Sequence, residues 1–399
     1  MLFPFRQTRV MIRANLLSLP RWMAIATSMV FSVALVVLVL AGFLSMAAGF
    51  ERALTSAGSR SVAVILGGGT NQETGSDIPA AVIRTIEAMR GDIGVARDAA
   101  GNPALSREIV VPVELSNDQA GAKMLALRGM DPTGPALRDG VALTAGRFAR
   151  PGAREIVVGD SIARAFAALA VGREVRLGAV TFTVVGHFSS GGSAFESELW
   201  ADLDVVRSAF DRQGEVQSVR VRLDGAGGID RLRSALGGLT ATPLVAVVEA
   251  DLYAAQSAGT ATLIRLFGWP IALLMALGAT AGAINTMMSS VSDRTVEIAT
   301  VRALGFSRLS AFVATWVEAA VLSAIGVAIG LAASWLIFNG WQASTVGANN
   351  ASLSFRLTLD GGVLLTTALL GLAIGVVGGA LPAVAATRLP LTAALRARG

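Results

Sequence analysis

The run WMAIATSMVFSVALVVLVLAGFLSMAAGF, residues 22–50, holds no ionisable side chain, and its reading decides the fold. A helix crossing the hydrocarbon core of a bilayer needs about 20 apolar residues. A secretory signal peptide is the competing reading, but its apolar core spans only about 7–15 residues, so the run reads as a retained span. Three more long apolar runs follow: 258–292, in which Arg265 is the one ionisable residue and Pro270 is expected to kink the helix, then 309–338, in which Glu318 is the one ionisable residue, and 363–386, which holds none. Charged or Gly/Asn-rich sequence closes each of them. The expected class is an α-helical membrane protein of four transmembrane helices.

Composition agrees with this. Of the 399 residues, 53% are apolar and 15% charged, whereas soluble domains carry about 25% charged residues. The mean hydropathy is +0.62. The formal charge is +5, yet Lys123 is the one lysine and the arginines are spread singly. That basicity reads as membrane topology rather than as a nucleic-acid surface. The chain has no cysteine, which excludes disulfides, thiolate metal sites and cysteine nucleophiles. His187 is its one histidine, which excludes a multi-histidine metal site.

Arginine placement orients the spans. Arg6, Arg9, Arg13 and Arg21 precede the first; Arg294, Arg302 and Arg308 lie between the second and third; Arg388, Arg396 and Arg398 follow the fourth. The short segment 339–362 holds only Arg356. The positive-inside rule therefore puts segment 1–21, segment 293–308 and the tail 387–399 in the cytoplasm. Residues 51–257 and the short outer loop 339–362 fall outside.

The stretch 51–257 is long enough for a real core, in two lobes. β-rich runs occur at 61–66, 108–115, 155–158, 174–177, 180–185 and 218–223, and helical patterns at 79–90, 160–169, 202–210 and 229–236. Gly178-Ala179 between two alternating runs reads as a tight hairpin. The irregular alternation of strands and helices marks a large α+β extracytoplasmic domain. A polar helical stretch, 249–262, runs straight into the second span and would couple that domain rigidly to it.

Most chemistry-bearing motifs have plain readings. Gly67-Gly68-Gly69 follows a strand, but no Gly-Lys-Ser/Thr follows it, so it reads as a turn and no nucleotide-binding P-loop is present. His187, at a strand end, reads as structural before it reads as a pH switch. Glu196 and Glu198 beside Trp200 read as a solvated loop rather than a glycosidase-type carboxylate pair. Glu318 stands apart, because it lies inside an otherwise uncharged span. An ionisable group at that depth costs a few kcal/mol and usually faces a partner or a cavity. A structural or coupling role is expected, against an interfacial position or a proton site.

Segment 293–305 is the most informative. It reads as a short amphipathic helix in which Ile298, Val301 and Leu304 fall roughly on one side, while Arg294, Glu297 and Arg302 supply polar contacts. Gly305 is placed to end it and Ser307 to cap the next helix. A short helix between two spans suits docking on a cytoplasmic partner; a surface-lying connector is the bland alternative.

The run Glu297-Ile298-Ala299-Thr300-Val301-Arg302-Ala303-Leu304-Gly305, with Glu318, Gly326 and Gly330 after it, resembles the FtsX-like permease family of ABC transporters. The closing Leu381-Pro382-Ala383-Val384-Ala385-Ala386-Thr387-Arg388 and Ala394-Leu395-Arg396 is similar to that family's C-terminus. Glu155-Ile156-Val157-Val158-Gly159 and Phe182-Thr183-Val184-Val185-Gly186 resemble the periplasmic domain of its MacB-like branch. The resemblance implies a multi-pass inner-membrane subunit that dimerises with a second copy or a paralogue. It also implies a separate ABC ATPase dimer, carrying ATP and Mg, docked on the 293–305 helix, with no cofactor and no catalysis in this chain. In such proteins, ATP-driven closure moves the outer domain (mechanotransmission). The outputs are efflux with a periplasmic adaptor, lipoprotein extraction, or control of a cell-wall hydrolase.

Overall fold

The computed structural model describes residues 3–18, 23–70, 72–89, 91–98, 100–117, 121–239, 243–346 and 351–388. Arg21, Arg396, Arg398 and the 394–396 motif lie outside them. In chain order the first elements are helices α1 (Phe3–Ser18) and α2 (Met23–Thr55), strand β1 (Val62–Gly67), helix α3 (Ala80–Ala88), and strands β2 (Leu105–Asn117), β3 (Gly121–Met130), β4 (Ala142–Gly146) and β5 (Glu155–Gly159). Then come α4 (Asp160–Ala165), β6 (Glu174–Leu177), β7 (Val180–Ser189), β8 (Glu198–Asp202), α5 (Leu203–Ala209), β9 (Ser218–Arg222), α6 (Gly228–Gly237) and β10 (Leu244–Val248). The chain closes with α7 (Glu249–Asp293), α8 (Thr295–Ala303), α9 (Arg308–Phe338), β11 (Gln342–Val346), β12 (Ser352–Arg356) and α10 (Gly361–Thr387).

Two compact units result. The helical unit comprises Met1–Ala48, Thr262–Trp341 and Leu357–Gly399; the extramembrane unit comprises Gly49–Ala261 and Gln342–Arg356. Helices α2, α7, α9 and α10 are long and apolar enough to cross a membrane. In the helical unit, small residues let backbones approach, as expected where lipid supplies no hydrophobic drive. A Cβ on Gly375 would sit 2.1 Å from Ser323 Cβ, and one on Gly379 would sit 2.4 Å from Ala319 Cβ, so α10 packs on α9 through glycine. Gly326 and Gly330 do the same for α2, each 2.7 Å by that measure from a backbone oxygen, of Val30 and Ala34. Ser323 Oγ donates to Gly371 O at 2.7 Å, which satisfies a buried hydroxyl.

The extramembrane unit is built on a ten-stranded mixed sheet ordered β10-β1-β9-β2-β3-β8-β5-β7-β4, with β6 paired to β7. The β3/β8 and β5/β7 pairs are parallel and the others antiparallel. Alternation along the strands separates its two faces. Ile109, Val111, Leu125, Leu127, Ile156, Val158 and Leu199 point into one apolar core with Ile162, Phe166, Leu203 and Val206. Ala63, Ile65, Val219 and Val221 point into a second with Ile83, Ile86, Leu232 and Leu236. The Gly178-Ala179 hairpin forms as expected: Leu177 pairs with Val180, and Gly178 takes a φ of +61 that suits glycine. Segment 339–362, expected as a loop, contains the β11–β12 hairpin. Its alternating Leu353 and Phe355 are buried, and Phe355 meets Phe50 edge-on at 5.6 Å. Ser354 N donates to Ser197 Oγ at 2.9 Å, and Ser197 Oγ donates to Ser354 O at 3.0 Å. Segment 1–21, in which only the arginines were read, holds α1, which packs along α9 through Met11, Ala311 and Ala314.

Candidate functional site

The polar centre of the helical unit lies where α7 ends. Arg294 breaks the helix with φ −97 and ψ 11, and α8 starts at the next residue. The Arg294 guanidinium turns inward onto Glu318 of α9, with Nη2 2.7 Å from Oε1 and Nη1 3.1 Å from Oε2. Asn15 Nδ2 of α1 donates to Glu318 Oε2 at 3.1 Å. Arg294 and Glu318 are 5% and 3% exposed, so the carboxylate foreseen inside a span is matched by a cation and an amide. Thr8 and Ser310 hydroxyls add a contact at 3.1 Å between α1 and α9. A cavity of about 190 Å³ lies among these helices, lined in part by Met11, Met287, Ile298, Phe306 and Thr315.

Helix α8 ends in a Schellman arrangement. Gly305, at φ +100, donates its N–H to Arg302 O at 3.0 Å, and Phe306 N–H reaches Val301 O at 3.4 Å. Phe306 and Val301 also pack on the Met11–Ala311–Ala314 cluster. Ser307 Oγ then caps α9 by accepting from Ser310 N at 3.1 Å. The faces of α8 differ from the reading that put Ile298, Val301 and Leu304 on one side. Ile298 is buried against Val291 and Ala386, and Val301 leans on the cluster just named. Leu304 is 76% exposed, and Glu297, Thr300 and Ala303 are exposed with it. The reason is angular: Val301 and Leu304 are three positions apart, but the helix ends between them, at Ala303, and the chain turns at Gly305.

A second polar cluster occupies the sheet face opposite the apolar cores. Arg128 donates to Glu198 at 2.6 and 2.7 Å, to Glu73 at 2.9 and 3.0 Å, and to Glu108 at 2.9 Å. Arg220 bonds Glu108, Glu249 at 2.8 Å and the Tyr253 hydroxyl at 2.7 Å. Arg138 Nη2 reaches Glu108 at 2.7 Å, and Trp200 Nε1 donates to Glu198 at 2.8 Å. All these charges are buried. Burial by itself raises the Glu73 and Glu108 carboxyls, but the guanidiniums beside them outweigh it and hold both below the usual carboxylate range. Glu196 and Glu198 correct the sequence reading: they are 3% and 8% exposed, not a solvated loop. Glu196 accepts from Ser189 Oγ, Ser190 N and Gly192 N at 2.8–2.9 Å and from Ser161 Oγ at 3.1 Å. His187 sits within β7, not at its end, and its Nε2 bonds Leu169 O at 2.7 Å, a structural role. Gly68 and Gly69 form a turn.

Asn15, Arg128, Arg138 and Arg220 were not singled out from sequence. Arg6, Arg9 and Arg13 are exposed on α1 while Met11 is buried; that helical spacing was a usable signal for an amphipathic helix. A charge at every second position of a strand reads equally as solvent-facing, so the buried network had no sequence signature.

Four membrane-length helices, a broken helix locked on a buried ion pair and a large mixed-sheet domain between the first two of those helices define a multi-pass membrane protein. A family model described as "MacB-like periplasmic core domain" matches residues 24–239, and one described as "FtsX-like permease C-terminal" matches residues 269–391. The first covers more than half of the chain, and the protein belongs to the MacB/FtsX-like family of ABC transporter permeases. Among solved structures it is similar to the periplasmic region of MacB from Actinobacillus actinomycetemcomitans, at 13% identity and a TM-score of 0.37, over 49% of this chain and 91% of that one. It is also similar to the extracellular domain of the noncanonic ABC-type transporter YknZ from Gram-positive bacteria, at 14% identity and a TM-score of 0.35, over 47% and 99%. No curated protein matches.

Proposed function

We propose that this chain is the inner-membrane permease subunit of an ABC transporter, with both termini cytoplasmic, and that a separate ATPase dimer docks on α8. ATP hydrolysis on that partner, with its Mg, moves the extramembrane unit and drives export or extraction of a substrate from the periplasm or outer leaflet. The chain works as a dimer with a second copy or a paralogue, and a periplasmic adaptor fits the same scheme. The observation that carries the reading is the mounting of α8. Arg294 and Ile298 fix one end, the Gly305–Phe306 closure fixes the other, and Leu304 stands outward beside Glu297. In this scheme Arg294, Ile298, Val301 and Gly305 hold the helix, Arg302 backs its last turn, and Leu304 and Glu297 meet the ATPase.

A fully buried leucine contributes about 2 kcal/mol, whereas rim charges contribute little. Leu304→Asp therefore releases the ATPase, and Glu297→Ala leaves it bound. Co-purification and stimulated ATP hydrolysis with each variant test this. A Leu304→Asp protein that retains its ATPase and full stimulation places the docking surface elsewhere.

A further inference from the structure

The extramembrane unit holds a cavity of about 300 Å³ between the end of β3, the end of β8 and the segments 131–141 and 147–151. Met130, Pro132, Pro135, Val141, Phe148 and Trp200 account for most of its apolar wall. An apolar cavity of about 150 Å³ admits benzene, so this one has room for two fused rings. Three prolines, Pro132, Pro135 and Pro151, line it. Their fixed φ makes the wall preformed, so little ordering entropy opposes binding. Trp200 and Met130 are held from behind. The indole stacks on Phe188 at 3.8 Å, gives its N–H to Glu198 and lies under the Arg138 guanidinium at 5.1 Å. Arg138 Nη1 also lies 3.8 Å from Met130 Sδ.

Charge decides the chemical class. The two carboxylates at the cavity are both engaged: Asp131 takes the Arg107 guanidinium at 2.8 and 2.9 Å and its N–H at 2.8 Å, and Asp202 caps α5 through Val205 N at 3.1 Å. A cationic ligand would have to compete with Arg107 for Asp131 and with the α5 cap for Asp202, and an anionic one would meet two carboxylates and no basic side chain among the lining residues; burying either ion unpaired is costly. A neutral aromatic molecule meets neither penalty. We infer that this cavity is a binding site for a neutral, two-ring aromatic compound, with Trp200 and Met130 as its floor and Phe148, 36% exposed, at its mouth. Preformed apolar pockets of about this volume with few convergent polar groups are the usual form of small-molecule sites.

The absence of cysteine gives a clean reporter. Arg150→Cys, beside the mouth, and Gln213→Cys, an exposed control, each carry a trifluoromethyl tag in the full-length chain in nanodiscs, and 2-naphthol is titrated by fluorine NMR. The expected result is a saturable shift at position 150, none at position 213, and binding of the anionic 2-naphthoate at least tenfold weaker. Ala136→Trp fills the cavity from an exposed position and should abolish the saturable shift; Ala136→Phe serves the same purpose if the tryptophan variant fails to fold. A shift linear in concentration or equal at both positions, or one unchanged in the folded filled variant, overturns the inference. None of these readouts involves an ATPase, so failure here leaves the proposed docking of α8 untouched.

Discussion

Removing the Arg294–Glu318 pair one side at a time, and then both sides together, is the most informative perturbation of the helical unit. Glu318 accepts three hydrogen bonds, two from Arg294 and one from Asn15. Glu318→Leu takes the carboxylate partner from a guanidinium that is 5% exposed and removes the acceptor of the Asn15 amide. Arg294→Met leaves the carboxylate with the amide alone. Breaking one side of a buried pair costs about 3–5 kcal/mol, whereas replacing both sides by apolar groups is often neutral or stabilising. The double variant also removes the acceptor of the Asn15 amide, which is half-buried, so that loss falls at or below the low end of the about 1–3 kcal/mol of a fully buried donor. The expected cycle is therefore two single losses of about 3–5 kcal/mol and a double loss no larger than either, a non-additivity well above the roughly 0.5 kcal/mol scatter of independent sites. Denaturant unfolding of the purified chain in detergent, read from the helical signal, measures all four corners. Single losses that simply add in the double variant would refute a mutual contact.

Three further outcomes follow from other parts of the molecule. Gly305→Ala meets no neighbouring atom but must hold a φ of +100, so about 1–2 kcal/mol of backbone strain should loosen the α8 terminus, read as faster amide exchange at Phe306. Gly379→Leu should part α9 from α10, because even a Cβ there lies 2.4 Å from Ala319 Cβ, and should lower the thermal midpoint of the helical unit; an unchanged midpoint rejects the close approach. Glu73 and Glu108 have depressed pKa values in the folded chain. Their contribution is thus fully present above the ordinary unfolded value near 4.3 and is lost progressively as pH falls from there towards the lower folded values. The extramembrane unit should keep its fold down to about pH 4 and open below it, while Glu108→Gln should open at higher pH; tryptophan emission against pH distinguishes the two.

The membrane spans were legible because lipid imposes a length and an apolarity that few other contexts share. The α8 terminus was legible for a local reason: Gly305 and Ser307 act on backbone groups within a few residues of themselves. Strand β8 was not, since Glu198-Leu199-Trp200-Ala201-Asp202 carries a charge at each end and looks like surface until Arg128 is brought to it by the parallel pairing of β3. Strand β10 was passed over although Leu244–Val248 is apolar throughout, and the hairpin around Phe355 although Leu353 and Phe355 alternate with serine. Glu318 could be recognised as needing a partner, but the choice of Arg294 and Asn15 depends on three helices meeting, 24 and 303 residues away along the chain.

The buried charge network also sets a timetable for biogenesis. Arg128 depends on Glu73, 55 residues before it, and on Glu198, 70 residues after it. Arg220 completes its shell only with Tyr253, 33 residues further on, at the start of the helix that leads into the second span. A guanidinium buried without its carboxylates costs several kcal/mol, so the sheet stays open while the ribosome works through it and closes once residues 249–253 have been delivered. A long, strand-rich polypeptide left open until then is in the condition under which edge pairing and proteolysis compete with folding. The Ser197–Ser354 contact, 157 residues apart, arrives later still, after the third span. Nascent chains of this protein stalled before residue 249 should therefore be protease-sensitive, and chains stalled well beyond residue 253 protease-resistant.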